Sequence, residues 1–263
     1  MNLSRVETRS AVVGMTLGDG YMVKKVPTSM SFVHSPRQLA YATWKAGILE
    51  VLTGYPIKPY SYQTKLSNGK SYEQVRFMSR THPLLQRIRY VAYPDAKKTI
   101  TEKLLFYLTP LGLAIWYMDD GSINFIKRKG KITGRQIFLH TACPENEADL
   151  VRNYFLSTWG IDWKKFKIRQ DSGFFSLRAN ANNAVEFFKL ISQYVHPSMR
   201  YKIDLQYYSK DNGRLYTHTQ KRVAELRANN LDFSVSPGSD EIVLSIPKYQ
   251  QDLFESQGID AHC

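Results

Sequence analysis

Cysteine is scarce in this chain of 263 residues, which contains only Cys143 and Cys263. The two lie far apart, and neither belongs to a Cys-x-x-Cys pair or to a Cys/His set with metal-ligand spacing. Neither a disulfide framework nor a structural zinc site is therefore indicated. The 43% of hydrophobic residues must supply the core instead. We expect an intracellular protein of a reducing compartment, either a bacterial or phage-infected cytoplasm or an organelle matrix.

The sequence also lacks an N-terminal secretory pattern and a long hydrophobic run. The longest apolar stretch, Leu104 to Met118, is interrupted by Pro110 and is shorter than the roughly 20 residues that a membrane span requires. This predicts a soluble protein without a membrane partner. The stretch is predicted to be a buried helix that begins at Pro110, with Thr109 as its N-cap.

Acidic residues are too few to balance the basic ones, and the formal net charge is +13. The excess is uneven, because residues 1–203 carry a net charge of +16 while residues 204–263 carry −3. A strongly basic body predicts a polyanionic partner, since phosphates neutralised by Lys and Arg release counterions. We expect residues 1–203 to bind nucleic acid.

The basic body repeats one pattern: a short apolar helix that ends in Asp-Gly, then basic and aromatic strands around an amphipathic helix. Asp19 and Asp120 are 101 positions apart, and Lys98 and Lys202 are 104 positions apart. A near-constant offset at two landmarks indicates an internal duplication. The predicted halves are residues 1–103 and 104–203, and residues 204–263 form an acidic extension.

Each half is predicted to follow the order αββαββα, which makes the chain α+β and pseudo-symmetric. β-branched and aromatic residues between turn residues predict eight strands: Tyr21–Val26, Ser29–His34, Pro59–Lys65, Tyr72–Ser79, Ser122–Lys127, Arg135–Thr141, Lys164–Arg169 and Phe174–Arg178. Helices are predicted at Pro36–Leu52, Glu145–Trp159 and Asn183–Val195. In the extension, a helix at Thr219–Asn230 and a strand at Glu241–Ile246 are predicted, packed on the second half.

An aspartate at a helix C-terminus is electrostatically unfavourable, because the helix dipole places partial negative charge there. The pattern occurs twice, at Asp19 and Asp120, and Asp119 adds a further acid. Small residues, Gly14 and Gly112 among them, would let the two helices approach closely. The acidic ends would then converge, and a bound divalent cation would compensate for their charge. Ligation by oxygen alone suits Mg²⁺, for which Mn²⁺ can substitute.

The segments VVGMTLGDG (Val12–Gly20) and LAIWYMDDG (Leu113–Gly121) resemble the two motifs of LAGLIDADG homing endonucleases. Together with the KKTI segment and the YK pair that contain Lys98 and Lys202, they are most similar to the single-chain branch that contains the mitochondrial omega-intron endonuclease. The resemblance spans residues 8–203.

The resemblance implies a central pair of motif helices between two four-stranded antiparallel saddles that lie in the DNA major groove. It implies that Asp19 and Asp120 are the metal ligands, assisted by the backbone carbonyls of Gly18 and Asp119. Lys98 and Lys202 would then flank the scissile phosphates. Bound metal ions would activate a water for in-line attack on the phosphodiester and stabilise the leaving 3′ oxygen.

The expected activity is cleavage of both strands of a long, non-palindromic DNA site, which leaves short 3′ overhangs. Because the chain holds both copies of the motif, we expect it to act as a monomer. Side chains on the strands that could donate hydrogen bonds to bases and phosphates are Lys24, Lys58, Gln63, Lys65, Arg76, Arg80, Lys127, Arg128, Arg135, Lys165, Lys167 and Arg169. Strand alternation means that about half of them face the DNA.

Two other functions fit the same scaffold. A maturase would use the basic body to bind intron RNA, and this activity could coexist with the nuclease. A DNA-binding regulator would need no catalysis, but the acids of both motifs are retained. The order of preference is nuclease, maturase, regulator.

Overall fold

The structure is a computed structural model that describes residues 3–65, 69–129 and 131–205, with the backbone of two short strands beyond them. The residues form helices and antiparallel strands, the α+β class that the sequence predicts. By their contacts they divide into two compact units. The first unit is Met1–Ile126 with Gly134–Ile203, and the second is Lys127–Thr133 with Asp204–Cys263.

The first half of the larger unit has four strands and three helices. In chain order they are α1 (Arg5–Leu17), β1 (Tyr21–Met22), β2 (Met30–His34), α2 (Leu39–Thr53), β3 (Tyr60–Lys65), β4 (Ser71–Met78) and α3 (Pro83–Ala92), with a 3-10 turn at Pro36–Gln38. The strands form one antiparallel sheet in the order β1-β2-β4-β3. The helix α1 begins with a capping box, in which the Ser4 hydroxyl accepts from the Glu7 N–H.

The second half repeats this arrangement after one additional short helix. Its elements are α4 (Glu102–Phe106), α5 (Pro110–Asp120), β5 (Gly121–Arg128), β6 (Lys131–Pro144), α6 (Glu145–Trp159), β7 (Lys164–Lys167), β8 (Phe174–Asn180) and α7 (Ala181–Ile191), followed by 3-10 turns at Ser192–Tyr194 and Pro197–Lys202. Its strand order, β5-β6-β8-β7, matches that of the first sheet. Both α2 and α6 have 15 residues and end at a left-handed glycine, Gly54 and Gly160. The predicted duplication is therefore confirmed.

The central pair of helices, α1 and α5, packs through glycines. A Cβ on Gly14 would lie 2.9 Å from the carbonyl carbon of Gly112, and a Cβ on Gly112 would lie 2.5 Å from the carbonyl oxygen of Ser10. Backbones can approach this closely only where there is no side chain. The predicted close approach of the two motif helices is confirmed.

Two local predictions are wrong in part. The strand predicted at Tyr21–Val26 ends at Met22. The apolar run Leu104–Met118 contains parts of two helices, α4 and α5, and no helix of the described residues is long and apolar enough to span a membrane. The second of these helices does begin at Pro110, but the Thr109 side chain does not cap it. The N–H and hydroxyl of Thr109 instead donate to Ser10 Oγ of α1, at 2.7 and 3.0 Å.

Each sheet has one face against helices and one open face. In β4, Val75 and Phe77 are buried, and they alternate with the exposed Arg76. In β8, Leu177 is buried and Arg178 is exposed. We call the face that carries Arg76 in the first sheet and Arg178 in the second the open face.

In the smaller unit, β9 (Phe233–Val235) and β10 (Ile242–Leu244) pair antiparallel, with Ser234 opposite Val243. The strand β10 lies within the predicted strand Glu241–Ile246, whereas β9 was not predicted. The predicted helix Thr219–Asn230 lies outside the described residues.

Candidate active site

Two aspartates stand at the ends of the central helices. Asp120 is the last residue of α5, and Asp19 lies two residues beyond the end of α1. Because α1 and α5 pack side by side, the two carboxylates lie close enough to repel each other. The structure thus brings together the two acids that the sequence singles out.

A lysine binds the carbonyl that precedes each acid. Lys98 Nζ donates to the carbonyl oxygen of Gly18 at 2.7 Å. Lys202 Nζ donates to the carbonyl oxygen of Asp119 at 3.0 Å and also to that of Met118. The structure therefore joins each predicted lysine to one of the predicted carbonyl groups, Lys98 to Gly18 and Lys202 to Asp119. Each carbonyl oxygen has a second lone pair, so the lysine does not exclude a further ligand.

The carboxyl groups are held in an unfavourable electrostatic environment. Burial, followed by the charges of Asp119 and Asp19, raises the pKa of Asp120 to about 7. Partial burial and the neighbouring Asp119 raise the pKa of Asp19. Burial lowers the pKa of Lys98 and of Lys202, although the nearby acids oppose this shift. The lysines therefore do not fully compensate for the acids.

The Asp119 carboxylate is fully buried, and its partners come from the other half of the unit. Tyr41 Oη donates to Oδ1 at 2.8 Å, and Lys45 Nζ donates to Oδ1 and Oδ2 at 2.8 and 3.0 Å. The N–H of Asp19 donates to Oδ2 at 3.1 Å. The side chain of Lys45 is also 0% exposed. Neither Tyr41 nor Lys45 was predicted as a site residue, because a lysine and a tyrosine in an amphipathic helix look like ordinary surface and core residues.

His34 was also missed. Its Nδ1 lies 3.8 Å from Asp19 Oδ2 and 3.1 Å from the side-chain oxygen of Gln38. Burial, helped by the charge of Lys45, lowers the pKa of His34 to about 4, so the ring is neutral near neutral pH. His34 therefore contributes no positive charge next to Asp19.

The donor set fits a hard divalent cation. The carboxylates of Asp19 and Asp120 supply oxygen atoms, and burial together with the neighbouring acids raises the pKa of each. Asp19, His34 and Asp119 also lie close enough to hold a metal ion as a group. The Asp119 carboxylate, however, already accepts hydrogen bonds from three groups, which leaves it less free to bind an ion.

Comparison with known proteins identifies the family of the chain. A sequence profile described as "LAGLIDADG DNA endonuclease family" matches residues 9–187, which contain both central acids. The chain belongs to this family. The resemblance found from the motifs is thereby confirmed.

Individual relatives of this LAGLIDADG chain differ in what they are called. "Protein RecA" of Mycobacterium gastri is 31% identical over 204 residues, which cover 73% of this chain and 46% of the relative. "Cytochrome b mRNA maturase bI2" of Saccharomyces cerevisiae is 27% identical over 209 residues, which cover 74% of this chain and 46% of the relative. The chain thus spans about half the length of these two relatives.

A solved structure shares the LAGLIDADG fold of the chain. "The homing endonuclease I-WcaI bound to its DNA recognition sequence" matches with a TM-score of 0.66 and 21% identity, over 78% of this chain and 88% of that one. At this identity the match shows the fold, and it confirms two antiparallel sheets on either side of paired motif helices.

In the LAGLIDADG chain, the strand register divides the first-half candidates for DNA contact between two faces. Arg76 lies on the open face, and it lines the same pocket as Asp19. Gln63 pairs with Glu73, and Lys65 pairs with Ser71, which places both on the same side as the buried Val75. The candidates that lie outside the strands and are exposed are Lys24, Lys58 and Arg80.

The second sheet shows the same division. Lys165 pairs with Leu177, on the helix side, and its Nζ binds Glu145 and Asp149 of α6 at 2.7 Å each. The register puts Lys167 on that side too. Lys164 pairs with Arg178 on the open face, and neither residue was among the predicted DNA contacts.

The remaining candidates lie at the end of β5, within β6 and in the turn after β7. Lys127 and Arg128 are exposed at the end of β5, in the smaller unit. The Arg135 guanidinium lies 5.8 Å from the ring centre of Phe125, and Arg169 is exposed in the turn after β7. Only an exact register separates the two faces, because a shift of one residue exchanges them, and the amino-acid pattern alone does not provide it.

Proposed function

We propose that this chain is a site-specific double-strand DNA endonuclease that acts as a monomer and requires Mg²⁺, with Mn²⁺ as a substitute. It cuts a long, non-palindromic site and leaves short 3′ overhangs. One observation carries the proposal: two acids end the packed helices α1 and α5, and a lysine binds the carbonyl that precedes each acid. Two such sets in one chain supply a pseudo-twofold pair without dimerisation.

The residues of the site have separate roles. Asp19 and Asp120 hold the divalent ions, which when bound supply an activated water and stabilise the leaving oxygen. Lys98 and Lys202 are aimed at the carbonyls of Gly18 and Asp119, where their ammonium groups lie close to an incoming phosphate. There they offset the charge that develops on the phosphate during cleavage.

The open faces bind the DNA. Exposed cations on these faces, such as Arg76, Lys164 and Arg178, are placed to contact phosphates and base edges. Gln63, Lys65, Lys165 and Lys167 are on the opposite faces and contribute less. We further propose that residues 1–103 and 104–203 act as the two DNA-binding halves, and that residues 204–263 are an extension outside the DNA contact.

The proposal is tested by selection from a library of DNA duplexes with a randomised segment, in which cut ends are captured and sequenced. Asp19→Asn and Asp120→Asn should each lower the double-strand cleavage rate by more than about 100-fold, while binding to the selected duplex persists. Glu186→Gln, which removes an exposed carboxylate on α7 that pairs with Lys189, is the matched control. Cleavage by either Asn variant at the rate of the control would contradict the assignment.

A second function, binding of intron RNA, is supported by the similarity to a relative called an mRNA maturase. It would use the same basic surfaces. Competition between the selected duplex and a structured RNA of equal length tests it. RNA binding that survives a saturating amount of the duplex would place the RNA on a different surface.

A further inference from the structure

The two motifs differ at the position just before the catalytic acid. This residue is Gly18 in the first motif and Asp119 in the second. A Cβ on Gly18 would lie 2.5 Å from Asp119 Oδ2. The glycine therefore leaves the space into which the carboxylate of the opposite half reaches.

The two acids are also held differently by their own helices. Asp120 is the last residue of α5, so helical hydrogen bonding fixes its backbone. Asp19 lies beyond the end of α1, and its N–H donates to Asp119 Oδ2 at 3.1 Å. Backbone bonds to α1 flank this residue, from the Gly18 N–H to the Gly14 carbonyl at 3.0 Å and from the Gly20 N–H to the Met15 carbonyl at 2.7 Å, but the N–H of Asp19 itself is bound by a side chain from the second half.

The Asp119 carboxylate is itself fixed by α2. The Tyr41 hydroxyl and the Lys45 ammonium bind it at 2.8 Å, and the side chains of Lys45 and Asp119 are both 0% exposed. A fully buried ion pair is weak evidence for stability, because desolvation opposes the attraction between the charges. It does, however, hold the carboxylate in one orientation.

The corresponding helix of the second half has no such cluster. Tyr41 and Lys45 are the third and seventh residues of α2, and the third and seventh residues of α6 are Glu147 and Val151. The Glu147 carboxylate accepts from the N–H of Ile100 at 2.7 Å, and Val151 is buried and apolar. The two halves therefore differ at the residues that hold the Asp119 carboxylate.

We infer that Asp119, held by Tyr41 and Lys45, is a positioning residue for Asp19, so that loss of this cluster slows the cutting of one DNA strand more than the other. The inference rests on the proposed function. It follows from the contacts, because the Asp119 carboxylate binds the N–H of Asp19, whereas Asp120 lies within α5.

Two variants test it. The first is Asp119→Asn with Lys45→Met, which removes both charges and leaves no unpaired buried ion. The second is Tyr41→Phe, which removes the hydroxyl that donates to Asp119 Oδ1 at 2.8 Å and lies 3.3 Å from the carbonyl oxygen of Ile115. Tyr154→Phe is the matched control, because the Tyr154 hydroxyl accepts from Trp159 Nε1 at 3.0 Å in the second half, in a contact that involves none of the site residues.

Cleavage is measured on the selected duplex, labelled on each strand in turn, and Mn²⁺ binding to the protein without DNA is measured by electron paramagnetic resonance. The double variant should change the ratio of the two strand-cleavage rates by about tenfold and weaken at least one Mn²⁺ site by about tenfold. Tyr41→Phe should change the ratio in the same direction by about threefold. The control should leave both readouts unchanged.

A role in stability alone would lower the melting temperature and slow both strands equally. An unchanged strand ratio or an unchanged Mn²⁺ affinity in the double variant overturns the inference. If the double variant does not fold, Tyr41→Phe decides by the same two readouts. Failure of the unaltered protein to cut any duplex removes the proposed function and this inference together, whereas normal cutting with an unchanged ratio removes only the inference.

Discussion

Replacing Gly14 by alanine tests the packing that brings the two acids together. A Cβ at this position would lie 2.9 Å from the carbonyl carbon of Gly112 and 3.0 Å from its Cα. The carbonyl oxygen of Gly112 would lie closer still, and non-bonded carbons normally stay about 3.5–4.0 Å apart, so α1 and α5 must separate by roughly 1 Å. The obstacle is backbone, which cannot rotate away as a side chain would.

The size of the effect follows from two opposing contributions. Overpacking against a rigid neighbour costs up to about 3 kcal/mol, and the better helix propensity of alanine returns about 1 kcal/mol. The expected net loss in the free energy of unfolding is therefore about 2 kcal/mol. For a chain of this size, the melting temperature should fall by roughly 4–8 °C.

Gly47→Ala is the matched control, because Gly47 also lies inside a helix but no atom lies within 4 Å of a Cβ placed there. Its free energy of unfolding should rise by up to about 1 kcal/mol. Urea unfolding of both variants, with the slope compared to detect changes in the unfolded state, measures the difference. If Gly14→Ala proved as stable as Gly47→Ala, the close contact between the central helices would be refuted.

Three further outcomes are expected. Lys98→Met and Lys202→Met should each slow cleavage about 100-fold at saturating protein, and a rate within twofold of the unaltered chain in single-turnover assays would exclude the proposed role. Arg178→Ala should lower the salt dependence of DNA binding by about one phosphate contact, whereas Lys165→Ala should not. Fluorescence anisotropy at several salt concentrations measures this dependence. The reverse result would show that the other face of the second sheet binds the DNA. EDTA should stop cleavage but not binding, and cutting that continues in EDTA would rule out the metal requirement.

Much of the fold could be predicted because the chain repeats itself. The offset between Asp19 and Asp120 aligned the two halves, and a turn pattern recognised in one half could be sought in the other. Most strands lie within a few residues of their predicted bounds. The exception, the early end of β1 at Met22, is a loss of pairing, which strand propensity does not report.

The candidate residues that belong to a sequence motif could be predicted. Those that depend on contacts between distant parts of the chain could not. Asp19 and Lys98 follow from their motifs. The hydroxyl that binds Thr109 belongs to Ser10, 99 positions earlier in the chain, so a local capping rule could not find it. The sequence predicts that Lys45 is a solvent-exposed helix residue, and only the structure shows its buried ion pair with Asp119. The sequence could not assign Lys165 to a face, because a shift of one residue moves a side chain to the other face of a sheet.

The difference between Gly18 and Asp119 also determines which halves can pair with each other. Two copies of the second half would set one Asp119 carboxylate against another, in the space that a glycine otherwise leaves. Two copies of the first half would place glycine opposite glycine and leave Lys45 buried without its partner. Each half is therefore complementary to the other and poorly complementary to itself. A duplicated gene that has diverged in this way can no longer return to a symmetric dimer through the loss of one half.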